Sequence, residues 1–374
     1  MTRRILLPPF TEVGAGSLSR LPEILSHLGV QRAFVVVDVG LPAELVDRLT
    51  GIASFALAGD VVRGPEGEPT TDAADQYAAM ARSVSCDGVV AVGGGSVMDL
   101  VKAVSMLVGQ PGVASEYQGM DLVSGQGLPV VCVPTTAGSG AEATKSAVLT
   151  NEQAQVKRGI NATGVLPDAV ILDPTLLISL PQQPRIAALL DATAHALESY
   201  VGQSNWSISE MCSVAAFPRL GTHLRLSGEV LSIDQAEDAL IGSFLAGAAI
   251  CNSETGAIHA LAYPLTEYHG IPHAYAVGAL LPEVMMMQEA TCTVRLDIAA
   301  DRMGFESRRT LFGRTSELRD QLGILEQVRD VVADTGALSR VVKRAMTLTG
   351  ALGNSPRVWT ETDARHVYVQ VAGA

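Results

Sequence analysis

Apolar residues in the first half of the chain fall into short continuous runs separated by segments with helical spacing. The continuous runs are typical of buried parallel strands and lie at Ala33–Val37, Ser54–Val62, Gly88–Val92, Leu128–Val133 and Asp168–Leu172. The helical segments between them include Ser17–Leu28, Ala43–Thr50 and Asp72–Ser83. This alternation predicts a parallel α/β sheet.

The second half of the chain has a different pattern. Its apolar residues recur with helical spacing over Arg185–Val201, Asp234–Cys251 and Leu322–Asp334, and convincing strands are few. We therefore expect an α/β domain over residues 1–180 and a helical domain over residues 181–374, with the boundary near Leu180–Pro181. A chain of 374 residues is long enough for two domains with sizeable cores.

Composition and charge exclude several classes of function. Apolar residues make up 48% of the chain and charged residues 17%, as in a well-buried globular protein. The net charge of −13 argues against nucleic acid or an anionic membrane as a partner. No apolar run approaches the roughly 20 residues of a membrane span, and no signal peptide is expected. Five cysteines without C-x-x-C spacing indicate reduced thiols and a cytoplasmic location.

Residues 87–107 combine a strand, a glycine turn and the start of a helix. The apolar run leads into Gly93–Gly95, and Ser96 with Asp99 three residues later has the pattern of a capping box. Backbone amides and the positive end of the helix dipole converge at such a turn and favour a phosphate group. The spacing is not G-x-G-x-x-G, so an ordinary strand–helix turn stays possible on this segment alone.

A second segment, farther along the chain, also has an apolar run followed by a glycine-containing loop. The apolar run that ends at Val133 is followed by Thr135 and Thr136, and then by Gly138 and Gly140. Hydroxyl groups and glycines after a strand suit contact with the phosphate or ribose of a nucleotide. A polar loop of turn residues has the same composition, so both interpretations stay open here.

The second half carries widely spaced acid and imidazole side chains. Asp191 and His195 are four residues apart in a helical segment, so they share one face. His259 and His273 follow in a segment that is interrupted by Pro264 and by Gly270–Pro272 and must therefore bend. One carboxylate and three neutral imidazoles suit a divalent transition metal such as Fe(II) or Zn(II). An acid and a histidine at this spacing are also common on helix surfaces, so the pair alone does not establish a metal site.

Four motifs in this order resemble those of one enzyme family. GGGSVMD, PTTAGSGAE, DATAH and HALAYPLTEYHGIPH are similar to motifs of the iron-containing (group III) alcohol dehydrogenases. The resemblance runs nearly from end to end, from FTEVGAGSLSRL at residue 10 to GNSPRVWTETD at residue 363. It implies the dehydroquinate synthase-like fold of that family, in which an α/β dinucleotide-binding domain precedes an all-α metal-binding domain.

The resemblance also implies the reaction. Hydride would pass between C4 of a nicotinamide and a small alcohol or aldehyde whose oxygen is bound to a metal. The cofactors would be NAD(H) and one divalent ion, Fe(II) first and Zn(II) second, held by Asp191, His195, His259 and His273. Relatives are often dimers, which implies a homodimer.

On the family's pattern, the cofactor lies against the first domain. Its contacts would come from Gly94, Gly95, Ser96, Asp99, Thr135, Thr136 and Lys157. Asp38 follows the strand over Ala33–Val37 at the end where nucleotide-contacting groups of an open α/β sheet lie. A carboxylate there can accept hydrogen bonds from both ribose hydroxyls and would repel the extra phosphate of NADP. The alternative is that Asp38 only starts a turn with Gly40.

Two positions depart from the family's pattern. Many relatives have a histidine four residues after the third ligand, where this chain has Tyr263, a phenol that either relays a proton or only packs. In the predicted substrate pocket, Ser146 leaves more room than the larger side chains of relatives, and Lys145, next to Thr144, either attracts a negative tail or is solvated.

Three alternatives stay open on the same scaffold. The nearest is a reductase of an anionic oxo compound, such as a phosphonate or keto acid, in a branch resembling phosphonoacetaldehyde reductases. The second is a cyclase resembling dehydroquinate synthase, whose metal set usually opens with a glutamate. The third is a non-catalytic relative, which the four filled ligand positions disfavour.

Overall fold

The computed structural model describes residues 3–54, 56–226 and 230–373, and the sheets lie in the first half of the chain. The described residues form strands β1 (Phe10–Val13), β2 (Ala33–Val37), β3 (Val62–Arg63), β4 (Gly88–Gly93), β5 (Gly119–Met120), β6 (Val130–Pro134), β7 (Ser146–Asn151), β8 (Val156–Asn161) and β9 (Ala169–Leu172). Six strands form a parallel sheet in the order β1-β9-β6-β4-β2-β3. The other three form a small sheet in the order β5-β8-β7, in which β7 and β8 are an antiparallel hairpin.

Helices cover both faces of the parallel sheet. They are α1 (Leu21–His27), α2 (Ala43–Ala53), α3 (Thr71–Ser83) and α4 (Gly95–Val108). Because alternate strand residues point to opposite faces, Val35 packs with α1 and α2, whereas Val36 packs with α3 and α4. Burial on both sides explains the continuous apolar runs of these strands.

After Leu172 the described residues form helices joined by turns and short connecting segments. The helices are α5 (Gln182–Val201), α6 (Ser207–Leu226), α7 (Ile233–Asn252), α8 (Ala257–His269), α9 (His273–Arg302), α10 (Arg308–Asp320), α11 (Leu325–Ala333), α12 (Thr335–Met346), α13 (Thr349–Asn354) and α14 (Glu361–Ala372). Each of them contributes to one buried apolar cluster. Within the described ranges, no helix combines the length and apolar composition that crossing a bilayer requires.

The fold class expected from the sequence is confirmed, since a parallel α/β sheet comes first and a helical part follows. The last strand ends at Leu172 and α5 begins at Gln182. The boundary near Leu180–Pro181 lies within this interval and stays a prediction.

The predicted strand over Ser54–Val62 is wrong for most of its length. Only its last residue belongs to a strand, β3, and Leu57 makes one isolated bridge to β2. Helix α2 extends to Ala53, bends follow at residues 58–60, and Phe55 lies outside the described residues. A short apolar run cannot by itself distinguish a strand from a helix end followed by a turn.

Candidate active site

Three residues predicted to contact a cofactor lie side by side at the carboxyl edge of the parallel sheet. Strands β2, β4 and β6 are neighbours in register, so their last residues are adjacent. Asp38, Gly94 and Thr135 directly follow these three ends. Ligands of open α/β sheets bind at this edge. Thr135 is itself buried, and Thr136 is the threonine that lines the cavity here.

The glycine turn leads directly into α4. The helix begins at Gly95 with Gly94 as the N-cap, and none of the described side chains caps it. The predicted capping box of Ser96 and Asp99 is therefore wrong, because both residues lie inside the helix. A Cβ on Gly95 would lie 2.8 Å from the Ser139 side chain, so glycine is needed for the turn to pack against the second loop. The amides of the first turn remain available to an anionic group.

Asp99 ties α4 to the β7–β8 hairpin. Its carboxylate accepts a hydrogen bond from Val148 N at 3.1 Å and lies 3.4 Å from the buried ammonium of Lys102. Lys102 Nζ also donates to Thr144 Oγ1 at 3.0 Å and to the carbonyl of Ser146. The segment predicted to line the substrate pocket is thereby held against the helix that follows the glycine turn.

Three of the four predicted metal ligands form one buried cluster. Helix α5 carries Asp191 and His195, and α8 carries His259. One ligand atom from each residue lies within 4.8 Å of the other two. Both imidazole Nε2 atoms are 3.7 Å from Asp191 Oδ1, and they are 2.9 Å from each other.

This donor set fits a divalent cation. Asp191 Oδ1 is buried and has no hydrogen-bond partner in the described part of the chain. Ligand atoms about 2.0 Å from a tetrahedral metal stand about 3.3 Å apart, which is close to the observed separations. Burial opposes the ionisation of Asp191, but His195 and His259 hold the pKa of its carboxyl below the ordinary value. Burial lowers the pKa of His195, which favours a neutral imidazole with a free lone pair.

Glu198 belongs to this cluster although it is not among the predicted site residues. Its Oε2 lies 2.5 Å from His259 Nδ1, and its Oε1 accepts a hydrogen bond from Ile258 N at 2.6 Å. Burial opposes the imidazolium of His259, but Glu198 and Asp191 raise its pKa to about 9. A proton on Nδ1 leaves Nε2 as the atom that faces the cluster. Glu198 follows His195 by three residues on α5, and this helical spacing is the signal that marks it.

His273 lies beside the cluster rather than within it. It is the first residue of α9, and its ring centroid is 5.4 Å from that of His259. Its Nδ1 is buried without a hydrogen-bond partner among the described residues. Tyr263 stacks on His273, with ring centroids 5.3 Å apart and ring planes inclined by 19°. Burial raises the pKa of the Tyr263 phenol, which therefore stays protonated near neutral pH.

A cavity of about 480 Å³ joins the edge of the sheet to the acid–imidazole cluster. From the first half of the chain it is lined by Asp38, Gly94, Gly95, Ser96, Asp99, Thr136, Thr144, Lys145, Ser146 and Lys157. From the helical half it is lined by Asp191, His195, His259, Tyr263 and His273. An anion at the glycine turn and a cation at the cluster would thus share one cavity.

Two family models match the chain over most of its length. The model of the iron-containing alcohol dehydrogenases matches residues 8–174, and the model of the C-terminal part of the Fe-containing alcohol dehydrogenase family matches residues 185–371. The chain belongs to the iron-containing alcohol dehydrogenase family. The family resemblance carried by the four sequence motifs is confirmed.

Individual relatives agree with the family models. The long-chain-alcohol dehydrogenase 1 of Geobacillus thermodenitrificans is 32% identical over 384 residues, covering 98% of this chain and 95% of that protein. A crystal structure of 1,3-propanediol oxidoreductase matches with a TM-score of 0.91 at 26% identity, covering 99% of this chain and 100% of the other. Sulfoacetaldehyde reductase from Bifidobacterium kashiwanohense in complex with NAD+ matches with a TM-score of 0.87 at 25% identity, covering 100% of both chains.

Lys157, which the family pattern assigns to the cofactor, has a partner within this chain. Its Nζ donates to Glu68 Oε2 at 2.5 Å, and Glu68 Oε1 accepts a hydrogen bond from His273 N at 2.9 Å. Burial opposes the ionisation of Glu68, but Lys157 and His273 lower its pKa to about 2. Glu68 therefore bridges the sheet domain and the start of α9. It lies in the polar loop GPEGEPT, where no hydrophobic period marks it.

Proposed function

We propose that this protein is a metal-dependent oxidoreductase that interconverts an alcohol and its aldehyde with NAD(H). The observation that carries the proposal is the buried cluster of Asp191, His195 and His259, which shares one cavity with the glycine turn before α4. Membership of the iron-containing alcohol dehydrogenase family supports it. NAD+ in the related sulfoacetaldehyde reductase supports the choice of nucleotide.

The cluster would hold one divalent cation. Asp191, His195 and His259 would supply three ligands, and His273, whose Nδ1 has no partner among the described residues, would supply the fourth. Fe(II) is our first assignment because the family is iron-containing, and Zn(II), which also accepts imidazole and carboxylate ligands, is the second. When bound, such a cation supplies a Lewis acid for the oxygen of the substrate.

The dinucleotide would lie along the carboxyl edge of the sheet. The free amides of Gly94, Gly95 and Ser96 would bind its pyrophosphate at the positive end of α4. Asp38 would accept hydrogen bonds from the adenosine ribose, and Thr135 and Thr136 would form the loop beside it. A bound nicotinamide supplies or accepts the hydride.

Asp99 and Lys157 would act mainly by positioning other groups. Both line the cavity, but the Asp99 carboxylate holds Val148 N and the Lys157 ammonium holds Glu68. Through these contacts they fix the hairpin and the start of α9 relative to the cofactor edge. Thr144 and Ser146 would line the substrate space on the same hairpin side.

Tyr263 would move the proton of the substrate hydroxyl. Its ring lines the cavity and stacks on His273, and its phenol is protonated near neutral pH. A hydroxyl group can accept one proton while it donates its own. Tyr263 would therefore take the place of an imidazole as a proton relay.

We further propose a cytoplasmic homodimer. The cysteines at positions 86, 132, 212, 251 and 292 are free, which suits a reducing compartment. Strand β1 lies at an edge of the parallel sheet, and Ile5, Leu7 and Val13 are exposed nearby. An open edge with exposed apolar residues favours a partner. Light scattering should give twice the mass of the chain, and the mass of a single chain would contradict the dimer.

The function can be tested by using deuterium to follow the transfer of hydride from NADH to the product. The protein is loaded anaerobically with Fe(II), or with Zn(II), and is then mixed with a panel of aldehydes and NADH that carries two deuterium atoms at C4. We expect loss of NADH and deuterium on the carbinol carbon of the product. A product without net loss of NADH would indicate a cyclase, and no turnover with any substrate would indicate a non-catalytic relative. His259→Ala should abolish the transfer, whereas His366→Ala, an exposed position on α14, is the matched control.

A further inference from the structure

A second cavity of about 780 Å³ lies next to the candidate active site. The two cavities have a common wall, formed by Met120, Lys145, Asn161, Cys251 and Ser253. The spaces therefore meet at this wall, and Lys145 is its only cationic residue.

The second cavity is cationic although the protein is acidic. Arg3, Arg4 and Lys145 line it together with one acid, Asp121, whereas the whole chain has a net charge of −13. Arg4 donates to Thr163 Oγ1 at 3.3 Å, and the Arg3 guanidinium lies 5.3 Å from the centroid of the Trp206 ring. In the described part of the chain neither arginine has a carboxylate partner. Such a local positive field attracts small anions.

Two lysines line the cavity of the candidate active site, and Lys145 is the one that has no ion pair among the described residues. The other lysine that lines the active-site cavity, Lys157, pairs with Glu68 at 2.5 Å. Lys145 as a residue is half-buried, and its ammonium has no counter-ion among the described residues. An anionic ligand would supply the missing partner.

The backbone around Lys145 is held in place on both sides. The buried Lys102 ammonium binds Thr144 Oγ1 at 3.0 Å and the carbonyl of Ser146. The carbonyl of Lys145 itself accepts a hydrogen bond from Ala162 N at 3.2 Å. Lys145 is therefore presented from a fixed stretch of chain, which suits recognition of a charged group at a set distance from the reacting carbon.

We propose that the preferred substrates of this enzyme are short aldehydes or alcohols that end in an anionic group, a sulfonate, phosphonate or carboxylate. This inference rests on the proposed function. Lys145 binds the anionic end at the wall between the cavities, and the reacting carbon extends into the cavity of the acid–imidazole cluster. Arg3 and Arg4 raise the local concentration of such anions in the second cavity.

The test compares aldehydes that differ mainly in terminal charge. Succinic semialdehyde is compared with its methyl ester, and sulfoacetaldehyde and phosphonoacetaldehyde are compared with butanal, using the metal-loaded enzyme and NADH. The readout is the ratio of kcat/KM for the anionic and the neutral aldehyde. We expect a ratio of at least tenfold, about 1.4 kcal/mol, that falls as salt is added. The three anions show whether one terminal group is preferred.

Variants test whether Lys145 causes the preference for anionic aldehydes. Lys145→Met should lower it at least tenfold, and Lys145→Arg should retain most of it because the charge is kept. Lys343→Met, which removes an exposed lysine on α12, is the control that should leave the ratio within twofold. A wild-type ratio near one, or a Lys145→Met ratio equal to that of the wild type, would overturn the proposal. If no aldehyde of either charge consumes NADH, the proposed function itself fails, which is a separate outcome.

Discussion

The imidazole of His259 and the carboxylate of Glu198 form a buried pair in which Nδ1 and Oε2 are 2.5 Å apart. Glu198 is itself fixed, because its other oxygen accepts a hydrogen bond from Ile258 N at 2.6 Å. The pair sets both the rotation and the tautomer of the imidazole, so that Nε2 faces Asp191 and His195. A carboxylate behind a metal-binding histidine raises the basicity of the ligand and preorganises it.

Replacing Glu198 by Gln should therefore weaken metal binding without removing a ligand. We expect Glu198→Gln to lower the affinity for Fe(II) or Zn(II) by about 10- to 100-fold, the range for residues that orient a ligand. Competition with a chromophoric chelator measures this affinity directly. Glu326→Gln on the exposed side of α11 is the control. Equal affinities in wild type and Glu198→Gln would show that the pair does not orient the ligand.

The metal set itself makes a second prediction. The wild type should bind close to one divalent ion per chain, and His259→Ala should remove most of it while the α/β domain stays folded. His273→Ala should also lower metal content, because a fourth ligand is lost even though His273 lies outside the three-residue cluster. Elemental analysis and circular dichroism check both variants. Full metal content in His273→Ala would leave Asp191, His195 and His259 as the protein ligands.

Sequence patterns were most informative where one helix or one strand end carries the signal. Asp191 and His195 meet because they are four residues apart on α5, and Asp38 and Gly94 meet because parallel strands end at one edge. The partners of these groups come from elsewhere in the fold. Glu68 reaches His273 across 205 positions of sequence, a pairing that no local period encodes.

The β7–β8 hairpin is another feature that the sequence pattern does not predict. Buried and partly exposed residues alternate along β7, so it lacks the continuous apolar run that marks the central strands. Its position depends on Lys102 and Asp99 of α4, which are hidden within a helical pattern. Substrate-pocket residues at the start of this hairpin and just before it could therefore be suggested only by resemblance to the family.

Tyr263 offers a test of proton transfer. If its hydroxyl relays the proton, Tyr263→Phe should lower kcat by on the order of 100-fold, the lower range for general acid–base groups. Metal content and NAD affinity should not change, because the phenyl ring can still stack on His273. Steady-state kinetics with NADH and an aldehyde provide the measurement. A fall of less than about threefold would mean that Tyr263 only packs and that solvent protons reach the site by another path.

Glu142 should make the stability of the protein depend on pH. Burial raises the pKa of its carboxyl from 4.5 to about 7, although Lys102 partly offsets this effect. The folded state therefore binds this proton more tightly than the unfolded state. The corresponding stability is present below pH 4.5 and is lost as the pH rises towards 7. Because one pKa unit corresponds to about 1.4 kcal/mol, the loss is on the order of 3 kcal/mol.

Glu142→Gln removes the group that titrates. The free energy of unfolding of the variant minus that of the wild type should be larger at pH 8 than at pH 5. Urea unfolding at both pH values measures this difference. Glu152→Gln, at the exposed turn of the hairpin, is the control and should show no such gain. An equal difference between Glu142→Gln and wild type at the two pH values would show that this carboxyl is not the source.

The choice of nucleotide depends on Asp38. Its carboxylate stands at the end of β2 and accepts a hydrogen bond from Gly40 N at 2.8 Å through Oδ1, which fixes its direction. The nearby Arg63 guanidinium donates from Nη1 to the carbonyls of residues 38, 39 and 41, so its cationic group is engaged by the turn. A 2′-phosphate placed here would meet a second negative charge in a partly desolvated cleft.

We therefore predict that NAD(H) is preferred over NADP(H) by at least tenfold in kcat/KM, roughly 1.4 kcal/mol. Asp38→Asn keeps the shape of the side chain and an oxygen that can accept from Gly40 N, but it removes the charge. The variant should shrink the preference mainly by improving NADP(H), whereas Asp47→Asn, exposed on α2, should leave it unchanged. Steady-state kinetics with both reduced nucleotides and one aldehyde give the ratio. A wild type that prefers NADPH, or an unchanged ratio in Asp38→Asn, would show that this carboxylate does not contact the ribose.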